Sequence, residues 1–168
     1  MTSLLRALQR QPEYVHVLLN PFPIYGLAMG WIGLLIGFFL CSRPAQIATL
    51  VLILISAASA WPVYEFGEQG YDRVLSMSDE AGQAWLDEHQ HRGEQLIYFF
   101  YVLAVLSAIA IIVPIKWPKT SLPLVIGTIL LGITVLGMSG YIAYAGGRIR
   151  HKEFRTEPPP KKPAPSPR

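Results

Sequence analysis

Four apolar runs, residues 24–41, 45–64, 95–115 and 122–145, contain no Asp, Glu, Lys or Arg. The shortest holds about 18 residues, roughly 27 Å as a helix, just enough to cross a hydrocarbon core. Inside lipid every backbone N–H and C=O has to find its partner within the protein, and a helix does this within one segment. The pattern predicts an all-α integral membrane protein, a four-helix up-down-up-down bundle. Composition agrees, with 52% hydrophobic and 15% charged residues, against about 25% charged in a soluble domain. The single cysteine, Cys41, ends the first run and leaves no disulfide framework, so a packing role is expected for it.

Between the second and third runs lies a polar insert, Trp61 to Glu94, with eight of the eleven acids and two of the four histidines. Trp61, Tyr64 and Phe66 mark a headgroup-level aromatic belt. Ser76 to Asp79 supply a break, Ser78 or Asp79 can cap a second helix, and Glu80 falls at its positive end. The insert therefore reads as an extramembranous helical hairpin, residues 65–94, whose second limb runs on into the third span. Glu65, Glu68 and Asp72 lie within about 60° of one helical face, opposite the limb that carries His89, His91 and Arg92. Glu65 and Glu68 are expected near His89 or Arg92, and Glu88 with Arg92 suits an i,i+4 pair on a solvated face.

Residues 1–20 read as an amphipathic interfacial helix rather than a secretory signal, since Arg6 and Arg10 interrupt the apolar residues. Asn20, Pro21, Phe22 and Pro23 are expected to end it and redirect the chain. Gly26, Gly30, Gly33 and Gly37 follow at steps of four, three and four, a packing seam on one face of the first span, with Leu34 expected to face lipid. Gly140, Ala143 and Gly147 form a second small-residue stripe. The membrane domain covers residues 1–153, and the Pro/Lys-rich tail, 154–168, is expected to be disordered.

With four spans, both termini and the insert share one side. That side holds Arg6, Arg10, Arg73, Arg92, Arg148, Arg150, Lys152, Arg155, Lys161, Lys162 and Arg168, and the other only Arg43, Lys116 and Lys119. The imbalance predicts cytoplasmic termini in the inner membrane. It also puts His16, His89, His91 and His151 on one side.

His16, the Phe22-Pro23-Ile24 run, a histidine before the third span, and Gly146-Gly147 followed by His151 together resemble the uncharacterised four-helix bacterial membrane proteins that open with His-Pro-x-x-x-His-Phe-Pro-Ile. Pro21 stands where that family has its second histidine, and Val17 replaces its proline. The resemblance implies the four-helix fold and, through the histidines, a cytochrome-like role.

Three functions fit these residues. A non-catalytic membrane subunit or scaffold requires only the glycine stripes, the acidic insert and the basic tail, with the bilayer and other membrane subunits as partners. It is the reading the sequence favours. A haem b-binding electron-transfer protein would draw its ligands from His16, His89, His91 and His151 near one membrane face. No histidine lies within an apolar run, which excludes a relay of two haems across the bilayer. A metal site could use Glu65, Glu68, Asp72 and His89. Hydrolytic triads, phosphate loops and nucleic-acid binding find no motif, and no catalytic residue is assigned.

Overall fold

The computed structural model describes residues 11–161. Residues 1–10 and 162–168, with half of the expected interfacial helix and the end of the tail, lie outside the described residues. All regular structure among the described residues is helical. Four helices are long and apolar enough to cross a membrane: Pro12–Phe39, Arg43–Ser76, Glu80–Lys116 and Pro118–Arg150.

The first of these is two α-helices joined by a π-helical turn. Helix α1 (Pro12–Leu19) passes through this turn, Phe22–Gly26, into α2 (Leu27–Phe39). Pro21 and Pro23 offer no N–H, and a proline ring collides with the carbonyl four residues back. The wider π turn relieves that collision, so the prolines widen the helix instead of ending it. Helix α1 packs along the limb that begins at Ala60.

Helix α2 ends in a Schellman turn, with Cys41 N–H on Phe38 O and Ser42 N–H on Gly37 O, both 3.0 Å. Cys41 takes the left-handed position, φ 50°, that glycine normally fills, and it is exposed. Its role is in this turn and not in packing. Helix α3 (Arg43–Ala58) then runs back along α2. The four glycines face it in antiparallel register: a Cβ at Gly26 would meet Ser56, at Gly30 Ile53, at Gly33 Thr49, and at Gly37 Gln46 and Ala45, all within 3.3 Å. Leu34 is fully buried, on the stripe it shares with Leu27, Gly30 and Gly37. The lipid-facing expectation for it is thereby corrected: Leu34 is four residues from Gly30 and three from Gly37, so it has their helical phase.

Helix α4 (Ala60–Ser76) continues α3 after an interruption at Ser59. Pro62 excludes the carbonyl of Ala58, where α3 stops. Asp79 starts α5 (Glu80–Lys116), accepting from Gly82 N–H at 2.9 Å. Near its far end Pro114 deprives Ala110 O of its helical donor, and Arg43 Nη2 replaces it at 2.8 Å. A 3-10 turn, Pro118–Thr120, leads to α6 (Ser121–Arg150). The core joins α2, α3, α5 and α6 through Leu27, Leu34, Leu50, Ile53, Leu103, Val125 and Val135. Outward-facing Ile36, Ile55, Val105, Ile112 and Leu130 are exposed, a surface suited to acyl chains and ill suited to water.

Candidate functional site

The helices spread where α1, α4, α5 and α6 meet, leaving a cavity of about 560 Å³. This lies within the roughly 300–1,000 Å³ typical of cofactor and small-molecule sites. His16 on α1 and His89 on α5 both line it, and their ring centres are 6.1 Å apart with the planes at 90°.

Both rings are held in the same way. His16 Nδ1 lies 2.7 Å from Val63 O on α4, and His89 Nδ1 lies 3.0 Å from Ile142 O on α6. A carbonyl oxygen only accepts, so in each ring Nδ1 donates and Nε2 keeps its lone pair. Four residues after each carbonyl comes a glycine, Gly67 or Gly146. A Cβ would approach His16 Nδ1 to 2.9 Å at Gly67, and His89 Nδ1 to 3.0 Å at Gly146. Each imidazole thus occupies a notch that only glycine leaves open.

The two notches are equivalent in chain position. His16 precedes Cys41, the middle of the first turn, by 25 residues, and Gly67 follows it by 26. His89 precedes Trp117, the middle of the second turn, by 28 residues, and Gly146 follows it by 29. Each helical hairpin therefore carries one histidine on its first limb and the matching carbonyl and glycine on its second.

The distance between the two ring centres can be set against that of two imidazoles on one metal. A metal–imidazole bond of about 2.0–2.1 Å plus about 1.1 Å from nitrogen to ring centre, counted for both rings, gives roughly 6.2 Å. The observed separation matches it.

The remaining expected residues lie apart. His91 is exposed and bonds Gln95 Nε2 at 2.9 Å; His151 is exposed, bonds Glu153 at 3.0 Å and stacks on Phe154. Glu65, Glu68 and Asp72 are exposed, and Glu68 accepts from Gln90 Nε2 at 2.7 Å instead of meeting His89 or Arg92. No group of three His, Cys, Asp or Glu positioned for a metal ion occurs among the described residues. Arg92 pairs with Glu88 at 2.7 Å but is buried, with Nη1 on Tyr141 O and its guanidinium 3.7 Å from the Tyr141 ring centre. Of the second stripe, Ala143 and Gly147 line the cavity and Gly140 faces open space. The close approaches on α6 come at Gly132, against Trp31, and Gly146.

A clasp ties the end of α6 to the start of α5. Arg155 donates to Arg148 O and Ile149 O, both 2.7 Å, capping α6, and to Asp79 Oδ2 at 2.9 Å. Lys152 reaches the same oxygen at 3.2 Å. Arg155 first, then the Gly82 N–H and Lys152, hold the Asp79 carboxyl well below the usual carboxylate range.

Sequence reasoning missed Gly67 and the carbonyls of Val63 and Ile142, and it set Gly146 beside His151, whereas its close neighbour is His89. The available signal was a histidine and a glycine equally far from each turn. Compared with known proteins, the chain matches no family model, no curated protein and no solved structure.

Proposed function

We propose that this chain is a membrane electron-transfer protein that binds one b-type haem through His16 and His89. The observation that carries the proposal is the pair of rings 6.1 Å apart, each with its Nδ1 committed to a backbone carbonyl. The fixed tautomer supports it, because Nε2 is left as the ligating atom in both rings. Apolar walls including Pro23, Ile24, Ile97 and Phe100 suit the porphyrin face. His16 and His89 would hold the haem between them, and a haem held by two imidazoles would supply electron transfer in preference to binding or activation of oxygen.

The reading as a non-catalytic subunit drew on glycine stripes and an acidic insert. In the fold the first stripe serves α3 of the same chain, while Glu88 and Asp79 serve internal pairs. The histidine pair is the feature those contacts leave unexplained. The Lys/Arg imbalance supports cytoplasmic termini, with the four long helices crossing the inner membrane up, down, up and down. On that reading the haem lies at the cytoplasmic edge.

The test is the visible spectrum of the full chain purified in detergent. A low-spin haem spectrum is expected, lost or converted to high spin in His16→Ala and in His89→Ala and kept in His91→Ala and His151→Ala. A haem that survives both His16→Ala and His89→Ala would sink the proposal.

A further inference from the structure

The cavity is polarised along the helix axes. From His89, α5 runs eleven residues, about 16 Å, toward its turn before reaching Phe100, which lines the inner end with Ile24 and Ile97. Arg150 lies four residues beyond Gly146, about 6 Å in the opposite direction, and lines the outer end with Gln11. The histidines stand between an apolar inner end and a polar outer end that carries Arg150.

Arg150 is the one Lys or Arg among the described residues lining the cavity, which also include two acids, Glu13 and Glu68; Glu13 Oε2 is buried without a partner among the described residues. Glu13 Oε1 meets Arg73 at 3.1 Å, and Glu68 accepts from Gln90. Arg150 makes no ion pair among the described residues. A lone guanidinium at the outer mouth, with Ile24, Ile97 and Phe100 at the inner end, matches a planar ligand with carboxylates on one edge and hydrocarbon on the other. Its rigid fork of donors suits a carboxylate better than a point charge does.

We infer that Arg150 reads the carboxylate edge of the ligand held between His16 and His89. It sets one orientation, hydrocarbon edge toward Phe100 and carboxylates toward the outer rim. The inference rests on the bis-histidine reading and adds a specificity: the site selects a tetrapyrrole with free propionates over the same ring with its charges masked. Arg150 is a binding residue here, not a ligand to the metal.

The experiment titrates the ligand-free full chain in detergent with protohaem and with its dimethyl ester, following the low-spin absorbance. Partitioning of the two compounds into detergent is common to all variants, so the quantity read is the ratio of their affinities. That ratio is expected to fall about tenfold in Arg150→Gln and to fall less in Arg150→Lys, while the low-spin spectrum persists. An unchanged ratio in Arg150→Gln overturns the assignment of Arg150 and leaves the histidine pair standing. Failure of the wild-type chain to give a low-spin complex with either compound overturns both.

Discussion

Each histidine is oriented by a residue that has no side chain. At Gly67 and Gly146 a methyl group would press on the imidazole at about the position of Nδ1, and the ring could yield only by leaving its carbonyl. Gly67→Ala and Gly146→Ala are therefore expected to leave the bundle folded but release one ring from Val63 O or Ile142 O. With haem bound, the spectrum should shift from low spin toward a low-spin and high-spin mixture at unchanged helical circular dichroism. Gly140→Ala, which meets open space, should change neither. The contacts of these glycines were illegible in the sequence for a physical reason. The seam from Gly26 to Gly37 shows itself because its members share one helix and one phase, whereas the contact of Gly67 with His16 joins positions on two helices across a hairpin. Leu34 and Arg92 were misread for a related reason. Both lie on faces that the fold covers, and only a partner helix decides whether a given face is wet, greasy or buried.

Among the elements, the prolines decide where helices bend and where other groups must compensate. Pro114 leaves Ala110 O without its donor, and Arg43 reaches across from the start of α3 to supply one. Arg43→Ala should cost about 1–3 kcal/mol, the price of an unsatisfied buried carbonyl, measured by denaturation in detergent. Arg43→Ala combined with Pro114→Ala should recover part of this, because the helix regains its own N–H. The same logic shows why the helix boundaries were only partly readable. Asp79 declares the start of α5 through its capping chemistry, whereas the run through Pro21 and Pro23 looks like a stop and is a π turn. At the other end of the hairpin, the clasp on Asp79 adds a pH dependence. A carboxyl whose folded pKa is depressed stabilises fully above its unfolded value, near 3.9, and that contribution fades as pH falls below it toward the folded value. The difference in Tm between wild type and Asp79→Asn should thus be constant at neutral pH and shrink below about pH 4.

For the molecule as a whole, membrane class and helix count were legible because a bilayer demands long uncharged runs, and chemistry was not, because no single run contains it. The proposed placement in the membrane rests on the charge distribution, and cysteine labelling checks it. Single cysteines at Met77 and at Glu157, in a Cys41→Ser background, should react from the same side of the bilayer. A cysteine at Trp117 should react from the other. Labelling of position 77 from the side opposite position 157 would refute the assigned topology.

Equal spacing about two turns means that neither half of this chain holds both rings: residues up to Met77 supply one imidazole, and residues from Ser78 supply the other. Whatever bridges the two rings also ties the halves together, so occupancy and assembly become a single equilibrium. The link at Met77–Ser78, which contributes nothing to the cavity beyond the rim contact of Met77, is then the least important covalent bond in the fold. A single hairpin of this design, paired with its own copy around one tetrapyrrole, would reproduce the site by symmetry alone.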